Sequence, residues 1–119
     1  MKENIIQQKS FEFSLLIIEL YKKLVDRKEY IISKQIFRSA TSIGANIEES
    51  IGAQSRNDFI SKISISYKEA RETEYWLKLL LGGKYITQKE FDFYTEKIVV
   101  ILKLLTSIQK TTKNNRNND

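Results

Sequence analysis

The 119-residue sequence contains no cysteine, no histidine and no proline, and only four glycines. Lacking cysteine and histidine, it cannot form disulfides, thiolate or imidazole metal sites, Ser-His or Cys-His nucleophiles, or a histidine pH switch. Lacking proline and most glycine, it has almost nothing to interrupt long helices. Long apolar runs are missing as well. The longest, Ile98-Val99-Val100-Ile101-Leu102, is closed by Lys103, and a membrane span needs roughly twenty such residues. Residues 1–10 hold no apolar core of signal-peptide length, so the cytoplasm is the expected compartment and no membrane partner is expected.

What is present is globular in balance: 41% hydrophobic and 29% charged residues in a 14.0 kDa chain, the size of one domain. Lys+Arg number 20 against 15 Asp+Glu, a formal charge of +5. Part of that excess lies in the C-terminal stretch, where Lys110, Lys113 and Arg116 face only Asp119. Such a balance permits association with nucleic acid without requiring it.

Four stretches carry helical periodicity. Phe11, Leu15, Ile18, Leu20, Tyr21, Leu24 and Val25 define the first, with Ser10 as N-cap or a start nearer Asn4. The second opens at Ser33 and carries Ile36, Ala40, Ile43, Ile47 and Ile51 as a narrow bundle seam. Ser55 reads as the next N-cap with Asp58 in the first turn, followed by Phe59, Ile63, Tyr67, Ala70, Glu74, Leu77 and Leu81. Gly82-Gly83 is the expected stop, being best able to turn left-handed. Thr87-Gln88-Lys89-Glu90 is a capping box opening a fourth helix through Phe91, Tyr94, Ile98, Leu102, Leu105 and Ile108. The expected fold is all-α, an antiparallel up-down-up-down four-helix bundle over residues 1–110. Residues 111–119, rich in Asn, are expected to be a disordered polar tail.

Residues 39–47 carry no charge and are mostly small, so the second helix is expected to be packed on more than one side, within its own bundle or against another subunit. The candidate oligomer contacts are Ser39, Ser42, Gly44 and Asn46, joined by Ile65, Trp76 and Leu79 on the third helix, because large apolar side chains beside charges suit subunit contacts. Arg38 lies near the apolar seam and needs an acid; Glu74 is the first expected partner and Glu72 the second. Chemistry is harder to find. No Glu-x-x-His pair, phosphate loop or dinucleotide fingerprint occurs, so no cofactor, metal, small-molecule substrate or enzymatic activity is expected. Lys22, Lys23, Arg27, Lys28 and Lys34 cluster around the end of the first helix as candidate phosphate contacts, or as complements to the helix dipole. Arg56, Lys62, Lys68 and Arg71 add positive charge to the third helix.

The stretch Arg38-Ser39-Ala40-Thr41-Ser42-Ile43-Gly44-Ala45-Asn46-Ile47-Glu48-Glu49 resembles the signature of the four-helix-bundle proteins encoded within intervening sequences of bacterial 23S rRNA genes. The resemblance continues through Gln54–Phe59, Tyr67–Thr73, Tyr75-Trp76-Leu77 and Gly83-Lys84-Tyr85-Ile86, and departs at Ser50, where the family usually has Gly or Ala. It implies a homo-oligomer, a five-membered ring. Retroelement accessory proteins similar to this family form such rings and bind nucleic acid and a reverse transcriptase. The family supplies no catalytic residues. The resulting expectation is a non-enzymatic, ring-forming protein that contacts RNA or DNA through its basic surface. The alternative is a protein-binding scaffold or regulatory partner that touches no nucleic acid.

Overall fold

The computed structural model describes residues 4–118, with side chains from 4 to 115. Four helices follow one another: α1 (Ile5–Asp26), α2 (Ile32–Ile51), α3 (Arg56–Gly82) and α4 (Gln88–Asn118). Each start has a physical cause. The Asn4 side chain accepts the Gln7 N–H at 3.1 Å, so α1 begins there and not at Ser10, which is buried inside the helix and donates to the Gln7 carbonyl. α2 lacks a side-chain cap at Ile31; the buried Glu29 carboxylate reaches forward instead and accepts the N–H groups of Ile31, Ile32 and Ser33 at 3.1, 2.9 and 2.5 Å. Ser55 caps α3 through the Asp58 N–H at 3.0 Å. The box at α4 closes both ways, Thr87 N–H to Glu90 at 2.9 Å and Glu90 N–H to Thr87 Oγ1 at 3.1 Å.

The helix ends correct the glycine expectation. No glycine among the described residues has a positive φ, whereas Lys28 and Lys84 both sit at φ 66°. Around each lysine the last turn closes in the same way. Glu29 N–H reaches the Leu24 carbonyl and Lys28 N–H that of Val25; Tyr85 N–H reaches Leu80 and Lys84 N–H reaches Leu81. This is a Schellman closure, with lysine rather than Gly82 or Gly83 in the left-handed position. The expected tail also differs. Residues 111–118 continue α4 as helix, since no glycine or proline stops it and Thr112 Oγ1 donates back to the Ile108 carbonyl at 2.8 Å; Asp119 lies outside the described residues.

Each helix packs on its sequence neighbours, α2 against α3 most extensively, and α1 meets α4 in the slightest contact, so the diagonal pairs stay apart. Paired residue numbers run in opposite senses along the seams. Gln7 meets Glu48 while Tyr21 meets Phe37; Arg38 meets Glu72 while Lys62 meets Glu49; Arg27 meets Glu90 while Phe13 lines a groove with Ile101. The molecule measures 51 × 24 × 21 Å with a radius of gyration of 15.3 Å. That exceeds the about 13.5 Å of a rounder chain of this length, because the helices lie along one axis. The core is a single column of Phe13, Ile17, Leu20 and Leu24 from α1, Ile36, Ile43 and Ile47 from α2, Leu77 and Leu80 from α3, and Ile98, Ile101 and Leu105 from α4. Phe11 and Leu15, expected on the first seam, are instead 62% and 48% exposed, and Ile51 is 50% exposed.

Candidate interaction surfaces

The first and third joins lie at the same end of the bundle, and Arg27 fastens them. Its guanidinium donates to the Tyr85 carbonyl at 2.8 Å and to both oxygens of Glu90 at 3.0 and 2.8 Å. Hydrogen bonds from Arg27, helped by the Thr87 amide, hold the Glu90 carboxyl down at about 2, and the Glu90 contact raises the Arg27 guanidinium further above its ordinary value. Of the five expected phosphate contacts, Arg27 is therefore engaged in holding the fold together. Lys22 sits 3.2 Å from Glu19. Lys23, Lys28 and Lys34 are exposed and form no ion pair among the described residues, and the third join adds exposed Lys84 and Lys89 in the same condition. The nearby acids are mostly occupied: Glu29 by three amides, Glu90 by Arg27 and Asp92 by the Gln88 side chain; Asp26 is exposed.

Sequence reasoning missed Lys84 and Lys89, because they lie some sixty residues from the first cluster. The usable signal was topological. In an up-down bundle, joins one and three share an end. It also missed the aromatic groups there. Tyr30 is 53% and Tyr85 37% exposed, and a shallow hollow of about 260 Å³ on the first hairpin is lined by Tyr21, Lys34 and Phe37. The Tyr21 and Phe37 rings meet edge to face, 5.0 Å between centroids.

The second surface lies along α2 and α3. Arg38 donates to Glu69 at 3.1 Å and to Glu72, and Trp76 Nε1 donates to the same Glu72 carboxylate at 3.0 Å. Glu74, the first expected partner, faces Arg71 at 3.4 Å. The cause is helical rotation. At about 100° per residue, two positions along α3 move a side chain to the opposite face. Glu69 and Glu72 both raise the Arg38 guanidinium above its ordinary value, against the opposing effect of burial.

The small residues of α2 divide into two groups. Ser39 is fully buried and shares a 2.8 Å hydrogen bond with Thr73, while Ser66 donates to the Ile43 carbonyl at 3.0 Å. A β-carbon on Gly44 would lie 3.5 Å from the Ser10 and Ser14 hydroxyls, an ordinary contact distance, so the position faces α1 with room for a methyl. Ser39 is thus an internal contact, whereas Gly44 is half-buried and lines a groove between α1 and α2. Ser42 and Asn46 remain half-buried, Asn46 Nδ2 donating to the Ser42 carbonyl at 2.9 Å. Ile65 and Leu79 are each 37% exposed, with Tyr75 at 53% and Trp76 half-buried beside them. The positive charges of α3 are largely occupied: Lys62 with Glu49 and Asp58, Arg71 with Tyr67 and Glu74; Arg56 also has a partner. Lys68 is exposed.

Among the described residues no group of three or more acidic side chains comes together in a form that could hold a metal. No helix among them is long and apolar enough to cross a membrane. The class so defined is an all-α four-helix bundle whose distinctive features are surfaces rather than a cleft. The chain matches the family model for the 23S rRNA-intervening sequence protein over residues 2–107, and it belongs to that family. Among solved structures it is similar to a protein of unknown function from the S23 ribosomal protein family of Bacteroides thetaiotaomicron VPI-5482. The two share 52% identity and a TM-score of 0.88, over 89% of this chain and 99% of that one. No curated protein matches the chain.

Proposed function

We propose that the protein is a non-enzymatic homo-oligomer, a five-membered ring, that contacts nucleic acid through its basic end. The observation that carries the nucleic-acid reading is the set of exposed lysines, Lys23, Lys28, Lys34, Lys84 and Lys89, at the joins of one end and without acidic partners among the described residues. Phosphates suit such a set, since each neutralised phosphate releases condensed counterions. Repeating the end around a ring multiplies the field, and a multivalent surface gains avidity without new contacts. Assembly is supported by the apolar side chains that α3 leaves exposed next to the Arg38–Glu72–Trp76 network; the ring of five rests on the family resemblance.

Light scattering tests the assembly: a ring of five 14.0 kDa chains weighs about 70 kDa, and a monomeric mass at micromolar concentration refutes it. Ile65→Glu and Leu79→Glu should reduce the mass while leaving the helical circular-dichroism signal intact. Fluorescence anisotropy of a labelled structured RNA, titrated at several salt concentrations, tests the partner. Affinity should fall steeply with salt, and Lys28→Ser with Lys84→Ser should flatten the slope. The competing reading is a protein-binding scaffold, favoured by the exposed Phe11 and Leu15 stripe on α1. Absence of binding at low salt would establish that reading over ours.

A further inference from the structure

The same end presents more than charge. Tyr30 stands exposed in the first join between Lys28 and Lys34, and Tyr85 follows Lys84 in the third. Arg27 ties the two joins through the Tyr85 carbonyl, so the rings and the lysines belong to one rigid platform rather than two independent loops. On the first hairpin Tyr21 and Phe37 wall the hollow whose third lining residue is Lys34.

A duplex hides its bases inside and offers a protein phosphates and groove edges, so flat ring surfaces add little on a phosphate-binding patch. An unpaired nucleotide offers both an exposed π-face and a phosphate. Exposed aromatic rings alternating with lysines along the two joins match that ligand. We infer that the basic end binds unpaired nucleotides, with bases stacked on Tyr30 and Tyr85 and in the Tyr21–Phe37 hollow, and phosphates on the intervening lysines. This deepens the nucleic-acid reading above and rests on it. The shared chemistry is a single-stranded phosphodiester with splayed bases, from RNA or DNA.

The test is an anisotropy titration of the intact protein with four labelled probes of one sequence: single-stranded RNA, single-stranded DNA and the corresponding duplexes. Single strands should bind about tenfold or more tightly than duplexes. The double variant Tyr30→Ala, Tyr85→Ala should lose about tenfold or more on single strands and less than about twofold on duplexes. Tyr30→Phe with Tyr85→Phe, which keeps the rings, should retain single-strand affinity. Both positions are exposed, and unchanged circular dichroism and melting would confirm that the alanine variant is folded. A preference for RNA over DNA of the same sequence would identify a 2′-hydroxyl contact; equal affinities would assign recognition to bases and phosphates alone, and both outcomes support the inference. Equal binding of duplex and single strand, or an alanine variant that binds like the original, overturns this inference and leaves the nucleic-acid reading standing. Failure to bind any probe, or tighter binding to vesicles of phosphatidylcholine and phosphatidylglycerol, overturns both.

Discussion

Lys28 and Lys84 hold a left-handed backbone, φ 66° in each, that costs an L-residue roughly 1–2 kcal/mol. Glycine relieves that strain but has more freedom to lose on folding. Replacing Lys84 by Gly should therefore stabilise the protein by about 1 kcal/mol and raise the melting temperature by a few degrees in calorimetry. An unchanged or lower midpoint would show that the lysine side chain contributes something the backbone argument omits. Glu29 works in the other direction. Its carboxylate satisfies three amides at a helix start that has no other side-chain cap, so Glu29→Ala should cost about 2–3 kcal/mol in urea denaturation. Neither residue was legible in the sequence. Ser55 and the Thr87–Glu90 box were, because a cap acting within three residues leaves a local pattern. A glutamate reaching from a preceding loop leaves none, and Gly82-Gly83 draws attention away from the lysine that makes the turn.

Between elements, small side chains decide how closely helices approach. Ser39, Ser66 and Thr73 let α2 and α3 share hydrogen bonds through the core, and Gly44 lies against Ser10 and Ser14 of α1. A methyl at position 44 meets only ordinary contact distances, 3.5 Å from two serine hydroxyls, and alanine is the better helix former by about 1 kcal/mol. Gly44→Ala should be neutral to stabilising in thermal melts. Gly44→Leu should destabilise by several times that amount as the helices are forced apart. The seam of α2 was readable from Ile36 to Ile47, although Ile51 is exposed. On α3 and α4, Ile63, Ala70, Leu77, Tyr94, Ile98 and Leu105 are buried as the spacing predicts, while the buried Leu80 and Ile101 fell off the expected lines. The seam of α1 was not readable, since apolar residues surround much of its circumference, and Phe11 and Leu15 proved to face outward. Of the two acids expected for Arg38, Glu72 pairs with it and Glu74 does not. Position beside the seam suggests that Arg38, 48% exposed in the fold, takes an acid; only the rotation of α3 says which.

At the scale of the whole molecule, the weakest seam is the one between the first and last helices, and Arg27–Glu90 fastens its basic end. A titratable contact therefore contributes to closing the bundle. Glu90 ionises at about 2 in the folded protein, against about 4.3 for a free glutamate, so its folded value is depressed. The stabilisation is fully present above the unfolded value, and it is lost as pH falls from about 4.3 towards about 2. The pair is partly open to water, with side-chain exposures of 38% and 20%, and screening limits the effect to about 1 kcal/mol. Urea midpoints measured across that window should fall more steeply for the original protein than for Glu90→Gln. The difference should shrink in high salt, as an exposed ion pair requires. Identical slopes would mean that apolar packing alone closes the bundle. Where the pair does hold the joins together, its loss divides lysines that act as one surface into two separate clusters. Loss of the Arg27–Glu90 contact should therefore weaken nucleic-acid binding at neutral pH in Glu90→Gln, even though that change removes a negative charge from the basic end and simple electrostatics alone would strengthen it.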